Sequence, residues 1–505
     1  MTIRLASALA FGIAAFAPPL AAVNLSNNGT GQVLIFPYYT VYANQQTLVS
    51  VINTSTSVGK VVKVRFREAY NGRAVMDFNL YLSPADVWTA NVFALTDAGI
   101  AGDGAALFST DNSCTDPALN TSGKLSNGAG YLSFSSAVYT GANADTGPVE
   151  DARMREGHIE MILMSDIVPK SNLEHAIRHV NSVPLDCHST TLQAATGYAA
   201  PTEDPDTGAP GSQADGGLYG SASIVNVADG VFYAYNADAL DGFSYVSLYT
   251  HPGDTQPTLA SVNDRDNPNA ATARMFVNGE QISATFPGAT SGSRAVDAVS
   301  AVFAANQIDN EYVYSYNGAI GTDWVLTFPT KDLYVDAQPG GAIAGASSVF
   351  APFEQLFGAK YSCVPMARGY GITIFDREED ATTPDACDIG GHCPPNVNVC
   401  LETNVFGISL LNQRNLSVLG SPLVSAILPI ASTGWLRWDI SQPGHQLQPA
   451  SNGNIFLGLP ITGFAATKFV NSIVPTSGGP VLANYTATYH HRSRTTCKNG
   501  NGACT

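Results

Sequence analysis

Alternation with a period of two recurs along most of this chain and constrains its fold more than any other feature. In KVVKVRF, residues 60–66, Val62, Val64 and Phe66 alternate with Val61, Lys63 and Arg65. Successive side chains of an extended strand point to opposite faces, so the pattern predicts a half-buried antiparallel strand with one apolar and one partly charged face. Asn71-Gly72, just before VMDFNLYL, tolerates the positive φ of a hairpin turn, and Asp229-Gly230 reads the same way. Similar runs appear in QVLIFPYYTVY, TLVSVINTS, GHIEMILMSDI and SASIVNV, and later in GITIFDREE, NVFGISLL, GWLRWDIS and LANYTATYHH. The economical expectation is a mostly β protein with two antiparallel β-sandwich-like (Ig-like) parts and a few short helices, stabilised by disulfides. No repeat of fixed period is present, which argues against a solenoid or propeller.

Two segments read as helices. SNLEHAIRHV, residues 171–180, offers Ser171 or Asn172 as an N-cap. SRAVDAVSAVFAANQI, residues 293–308, spaces Val296, Val299, Val302 and Phe303 along one buried stripe. Turn formers without periodicity fill 203–217 and 251–269, so the expected organisation is an N-terminal β-sandwich over 23–250, a boundary region over 251–294 and a C-terminal β-rich part over 295–505. In TDWVLTFPTKDLYVD, residues 322–336, Trp324, Leu326 and Phe328 share one strand face, and Pro329 ends the ladder. Trp324 and Phe328 are expected in a core, with Lys331 and Asp332 solvated at the turn.

The opening MTIRLASALAFGIAAFAPPLAA places one Arg before an apolar run and small residues, the layout of a secretory signal over residues 1–22. The mature chain is expected to begin near Val23. No later segment has the roughly 18 uninterrupted apolar residues of a membrane helix. In an exported chain, eight cysteines read as four disulfides. Sequence alone leaves the connectivity open; position suggests Cys114 with Cys187 and Cys497 with Cys504, and the middle four could pair as Cys363 with Cys400 and Cys387 with Cys393. With 24 basic residues against 41 acidic ones and a net charge of −17, the surface disfavours nucleic acid and anionic lipid, both of which call for clustered cations.

Candidate chemistry is sparse. Asp376, Glu378 and Asp380 would share a face if the strand continued, and a pair of carboxylates is what glycoside hydrolysis requires. Turn solvation or pairing with basic neighbours is the competing reading. His175, His179, Cys187 and His188 have ligand chemistry suited to zinc if His175 and His179 lie one turn apart on a helix. No glutamate follows the first histidine as a zincin would need, and Cys187 is better used in a disulfide. Asp204 and Asp206, and Asp264, Asp266 and Asn267, have alternate oxygens that suit a structural calcium ion, although turn capping explains them equally. A nucleophile elbow and a phosphate-binding loop are both missing. Phe36, Tyr38, Tyr39 and Tyr42 read as sheet packing before they read as a sugar platform.

The phrases GQVLIFPYYTV, VKVRFREAYNGRAVMDFNLYLSPADVW, NADAL, TDWVLTFPTK and FDREE occur in order over nearly the whole mature chain. They resemble those of exported Gram-negative bacterial proteins to which no activity is attached. The resemblance implies an envelope, periplasmic or extracellular location and brings no catalytic residue with it. The expectation is therefore a secreted or cell-surface structural and interaction protein without catalytic activity. Its partner would be another protein or a glycan, or further copies of itself joined through sheet edges, and no cofactor is expected beyond that calcium. The alternative is a secreted carbohydrate-binding or polysaccharide-hydrolysing protein.

Overall fold

A computed structural model describes residues 22–504 apart from 146, 195–196, 202–215, 266, 268, 288–294, 336–348, 355–370, 383–398, 409–416, 428, 430, 472–476, 480, 482 and 501. Among the described residues the chain is mostly β, with a few short helices. The first sheet runs in the order Asn24–Leu25, Asp238–Asp241, Val33–Thr40, Glu156–Ile167, Gly59–Glu68, Ala74–Leu82 and Cys114–Asp116. The second runs Val231–Asn236, Leu218–Asn226, Gln46–Asn53, Val87–Ala94, Ala105–Phe108, Gly130–Ser133 and Gly123–Lys124. The two pack face to face. Phe36, Val64, Phe78 and Met161 from one sheet meet Val51, Trp88, Leu107 and Ala222 from the other in a shared core. Phe78 and Trp88 bridge the layers with ring centroids 5.7 Å apart.

A second pair of sheets follows the same logic. One carries Ile372–Asp376, Thr433–Asp439, Gln307–Val313 and Arg492–Arg494 side by side, and the other carries Thr403–Ile408, Ile320–Thr327, Thr462–Phe469 and Tyr485–His490. Ile308, Ile374, Leu436 and Trp438 face Trp324, Leu326, Phe406 and Ile408 across the core. This core continues into the hairpin Ala270–Val277 and Glu280–Pro287 and into the helix Val296–Phe303, whose eight residues are all buried.

The two sandwiches are joined by packing. Val325, Val405 and Phe464, on the back of the second pair's inner sheet, meet Tyr38, Ile224 and Tyr233 of the first. Tyr235 stacks on Phe464 at 4.8 Å. The 320–327 strand is thus buried on both faces, Trp324 and Leu326 in one core and Val325 in the other. The assignment of Trp324, Leu326 and Phe328 to a core holds.

Several local expectations change. The charged face of the 59–68 strand is not solvated: all ten of its residues are buried. A connection through Thr250, His251, Asp254 and Pro257 lies across it, taking hydrogen bonds from Asn79, Lys63 and Arg65. Lys331 is also buried, not solvated, because its ammonium donates to the carbonyls of Cys400 and Leu401 at 2.7 and 3.2 Å. Asp332 is nine-tenths covered and paired with Arg67. The helix expected to reach residue 308 stops at Phe303, since Gln307–Val313 pairs on both sides as a strand and that ladder outweighs the helical spacing. The 59–68 and 74–82 strands form the expected hairpin with a connection over 69–73, in which Gly72 has φ +71°. The 172–177 helix is capped as expected, Ser171 Oγ accepting from the Glu174 amide at 3.1 Å.

Cys114 is bonded to Cys187 and Cys497 to Cys504, as expected. Cys400 is also disulfide-bonded. Cys363, Cys387 and Cys393, needed for the other two expected bridges, lie outside the described residues, as does the expected signal sequence up to residue 21. Val23 is already part of the fold: its amide donates to Thr272 O at 2.8 Å, and Arg274 N donates back to its carbonyl at 2.9 Å.

Candidate functional site

The densest chemistry lies where the first sandwich meets the second. On the outer face of the 59–68 strand, Lys63 and Arg65 reach Asp77 at 3.4 and 2.6 Å, and Arg67 reaches Glu160 and Asp332 at 2.9 Å each. Because Asp332 belongs to the second half of the chain, Arg67 ties the two sandwiches together. A neighbouring group is centred on Arg153, which contacts Glu68 at 3.0 Å and Asp145 at 2.7 Å, with no side-chain exposure of Arg153 or Glu68. Glu68 also accepts three backbone amides, from Tyr70, Asn71 and Arg73. Gly72 brings the turn so close to Glu402 that a Cβ there would stand 3.2 Å from its carboxyl carbon.

Burial shifts the ionisation of these groups in both directions. It lowers the Lys331 ammonium to about 7, with Glu402 partly opposing, and it raises Glu402 far above the ordinary carboxylate range, with Asp332 adding to the rise. Such values in an open cleft would mark acid–base machinery. Here Lys331 is 4% exposed and Glu402 not at all. The arrangement locks two layers together.

A second buried pair spans the same junction. Tyr38 donates to Glu156 at 2.7 Å, and Asp323 accepts the amide of Leu419 at 3.0 Å and the hydroxyl of Ser417. Burial pushes Glu156 up from 4.5 to about 7 and Asp323 up from 3.8 to about 6. The folded chain therefore holds these protons at pH values where the unfolded chain has released them. The pair's contribution to stability should fall as pH rises from about 4 to 7, and its loss should be complete above that. Glu156→Gln should make the fall of the urea midpoint over that window shallower, Asp323 supplying what remains. Superimposable pH profiles for the variant and the parent would contradict this assignment.

The residues singled out from sequence are only partly brought together. Asp376 ends its strand, while Glu378 and Asp380 sit in the following turn, so the three do not share a strand face. Asp376 Oδ1 accepts the amides of Glu378 and Asp380 at 2.8 and 3.0 Å, a turn-capping role. His179 lies beyond the end of the 172–177 helix in an extended pair, so it does not face His175 one turn away. Cys187 is in its disulfide, and His188 Nδ1 lies 2.5 Å from Asp186. Asp264 anchors Thr272 through both amide and hydroxyl, and Asn267 Oδ1 caps the amide of Asn269. Asp204, Asp206 and Asp266 lie outside the described residues. Phe36, Tyr38 and Tyr39 are fully buried sheet packing, and Tyr42 lies under the Arg155 guanidinium.

What the sequence reading missed is a cleft of about 630 Å³ at the open edge of the second sandwich. The 492–494 strand pairs with the 307–313 strand only over Gln307–Asp309, and past that stretch Glu311, Tyr312 and Val313 line the cleft together with Phe469 and Tyr489 of the facing sheet. Trp435, Tyr489, Phe469, Glu311, Asp376 and Arg377 are among its lining residues. Trp435 stacks on Phe375 at 4.0 Å with an interplanar angle of 7°, and the Arg437 guanidinium lies 5.0 Å from its ring centre. Only the register of strands distant in sequence assembles this set, so no local motif announces it. No protein-family model, curated protein or solved structure matches this chain.

Proposed function

We propose that this chain works outside the cytoplasm as a binding protein, presenting its surfaces on a body of two locked sandwiches, and that it is not a catalyst. One observation carries the reading: Lys331, Glu402, Glu156 and Asp323, four groups whose ionisation burial shifts, are sealed inside the junction, where a substrate has no approach. Two of the accessible clefts among the described residues are rich in hydroxyls, amides or aromatic rings. One lies on the open face of the second sheet among Leu48, Ser50, Thr89, Asn91, Ser221 and Ser223, and the other is the Trp435 cleft. Disulfides support the exported setting, because thiols are kept reduced in the cytosol. Among the described residues no helix is long and apolar enough to cross a membrane.

The test is to incubate the purified oxidised protein with washed bacterial envelopes and follow co-sedimentation together with release of soluble reducing sugars and amino groups. Saturable retention without release is expected. Release that grows with time and with protein concentration, or a failure to bind, would overturn the reading.

A further inference from the structure

We propose that the cleft at the edge of the second sandwich is a binding site for a neutral polysaccharide. The inference rests on the binding reading above and specifies its ligand. The cleft's volume, about 630 Å³, falls in the range of about 300–1,000 Å³ usual for small-molecule sites. Its aromatic members are not all used up in packing: Tyr489 is 52% exposed and Trp435 half-buried at the surface. Such rings offer flat apolar faces on which the C–H face of a pyranose can lie. Beside them Glu311 and Asp376 can accept hydroxyl hydrogen bonds and Arg377 can donate them, and bonds to charged partners are the stronger kind.

Two observations narrow the ligand class. Two carboxylates against one guanidinium, in a chain of net charge −17, disfavour an anionic polymer. The neighbouring strand edge is also closed to an added peptide strand, because its outward backbone groups already have side-chain partners. The Thr322 hydroxyl takes the Val313 amide at 3.1 Å and donates to its carbonyl at 2.9 Å. Asn310 Oδ1 takes the Glu311 amide at 2.9 Å, and Trp324 Nε1 donates to the Glu311 carbonyl at 3.3 Å. Peptide capture by strand addition needs those groups unpaired. A sugar chain needs only the rings and the charged side chains.

The test is affinity electrophoresis of the oxidised protein through gels containing laminarin, xylan, glucomannan or, as an anionic control, alginate. At least one neutral polymer should retard the protein. Trp435→Ala and Tyr489→Ala should each weaken that retardation about tenfold or more, with the far-UV dichroism and melting temperature of the exposed Tyr489 variant unchanged. Failure of every neutral polymer to bind, equal retardation of both variants and parent, or preference for alginate would overturn the inference. Saturable envelope binding combined with no neutral-polymer binding would remove this inference and leave the binding reading standing, whereas loss of both would remove both.

Discussion

Replacing Arg153 by methionine is expected to lower the free energy of unfolding by about 3–5 kcal/mol, the usual penalty for removing one partner of a buried charge set. The guanidinium is fully enclosed and lies 3.0 Å from Glu68, 2.7 Å from Asp145 and 2.6 Å from the Asn71 side-chain oxygen. Its carbon also stands 4.2 Å from the centre of the Tyr139 ring. Although burial alone would raise Asp145, hydrogen bonds from Arg153 and Asn71 hold its carboxyl at about 2. Without the cation, Glu68 and Asp145 are left as neighbouring buried anions, and the turn that Glu68 organises through three amides loses its anchor. Arg153→Lys should recover little, because an ammonium cannot reproduce the planar fork that serves several acceptors at once. Urea unfolding of the two variants decides the matter. A loss below about 1 kcal/mol for Arg153→Met would mean that the network contributes nothing beyond what packing supplies.

Trp324→Ala is expected to cost about 3–5 kcal/mol, the range for emptying a large aromatic site. The ring is 1% exposed, lies 5.0 Å from the His491 ring, and donates from its indole nitrogen to the carbonyl of Glu311. The substitution would open a cavity in the second core and release the edge of the 307–313 strand beside the Trp435 cleft. Near-UV dichroism should weaken together with the urea midpoint. An unchanged spectrum with an unchanged midpoint would show that this position is not a core site.

The two variants fall on opposite sides of what the sequence reveals. Trp324, Leu326 and Phe328 were legible as a core face because strand periodicity is a local property, written every second residue. Ser171 as a helix cap and the pairings Cys114–Cys187 and Cys497–Cys504 were legible for similar reasons of spacing and position. The fate of Lys63, Arg65, Arg67 and Lys331 was not. A charge on a strand's second face normally meets water, and only the arrival of Asp332, Glu402 and the segment from Thr250 to Pro257, all distant in sequence, converts that face into a second interior. The 293–308 segment makes the same point. Its helical stripe is real as far as Phe303, but beyond it two neighbouring strands supply a ladder that local spacing cannot encode. The Trp435 cleft depends entirely on such pairings, since Glu311, Asp376, Trp435 and Tyr489 come from four separate strands. By itself, then, the sequence determined the strand-rich class and the alternating faces of individual strands, because each is set by residues close together, and it suggested by simple position the two covalent links that the structure shows. Tertiary structure alone decided which charges are buried, where the sandwiches lock and where a cleft opens, because those depend on the low-dielectric surroundings and strand register that arise only when remote segments meet.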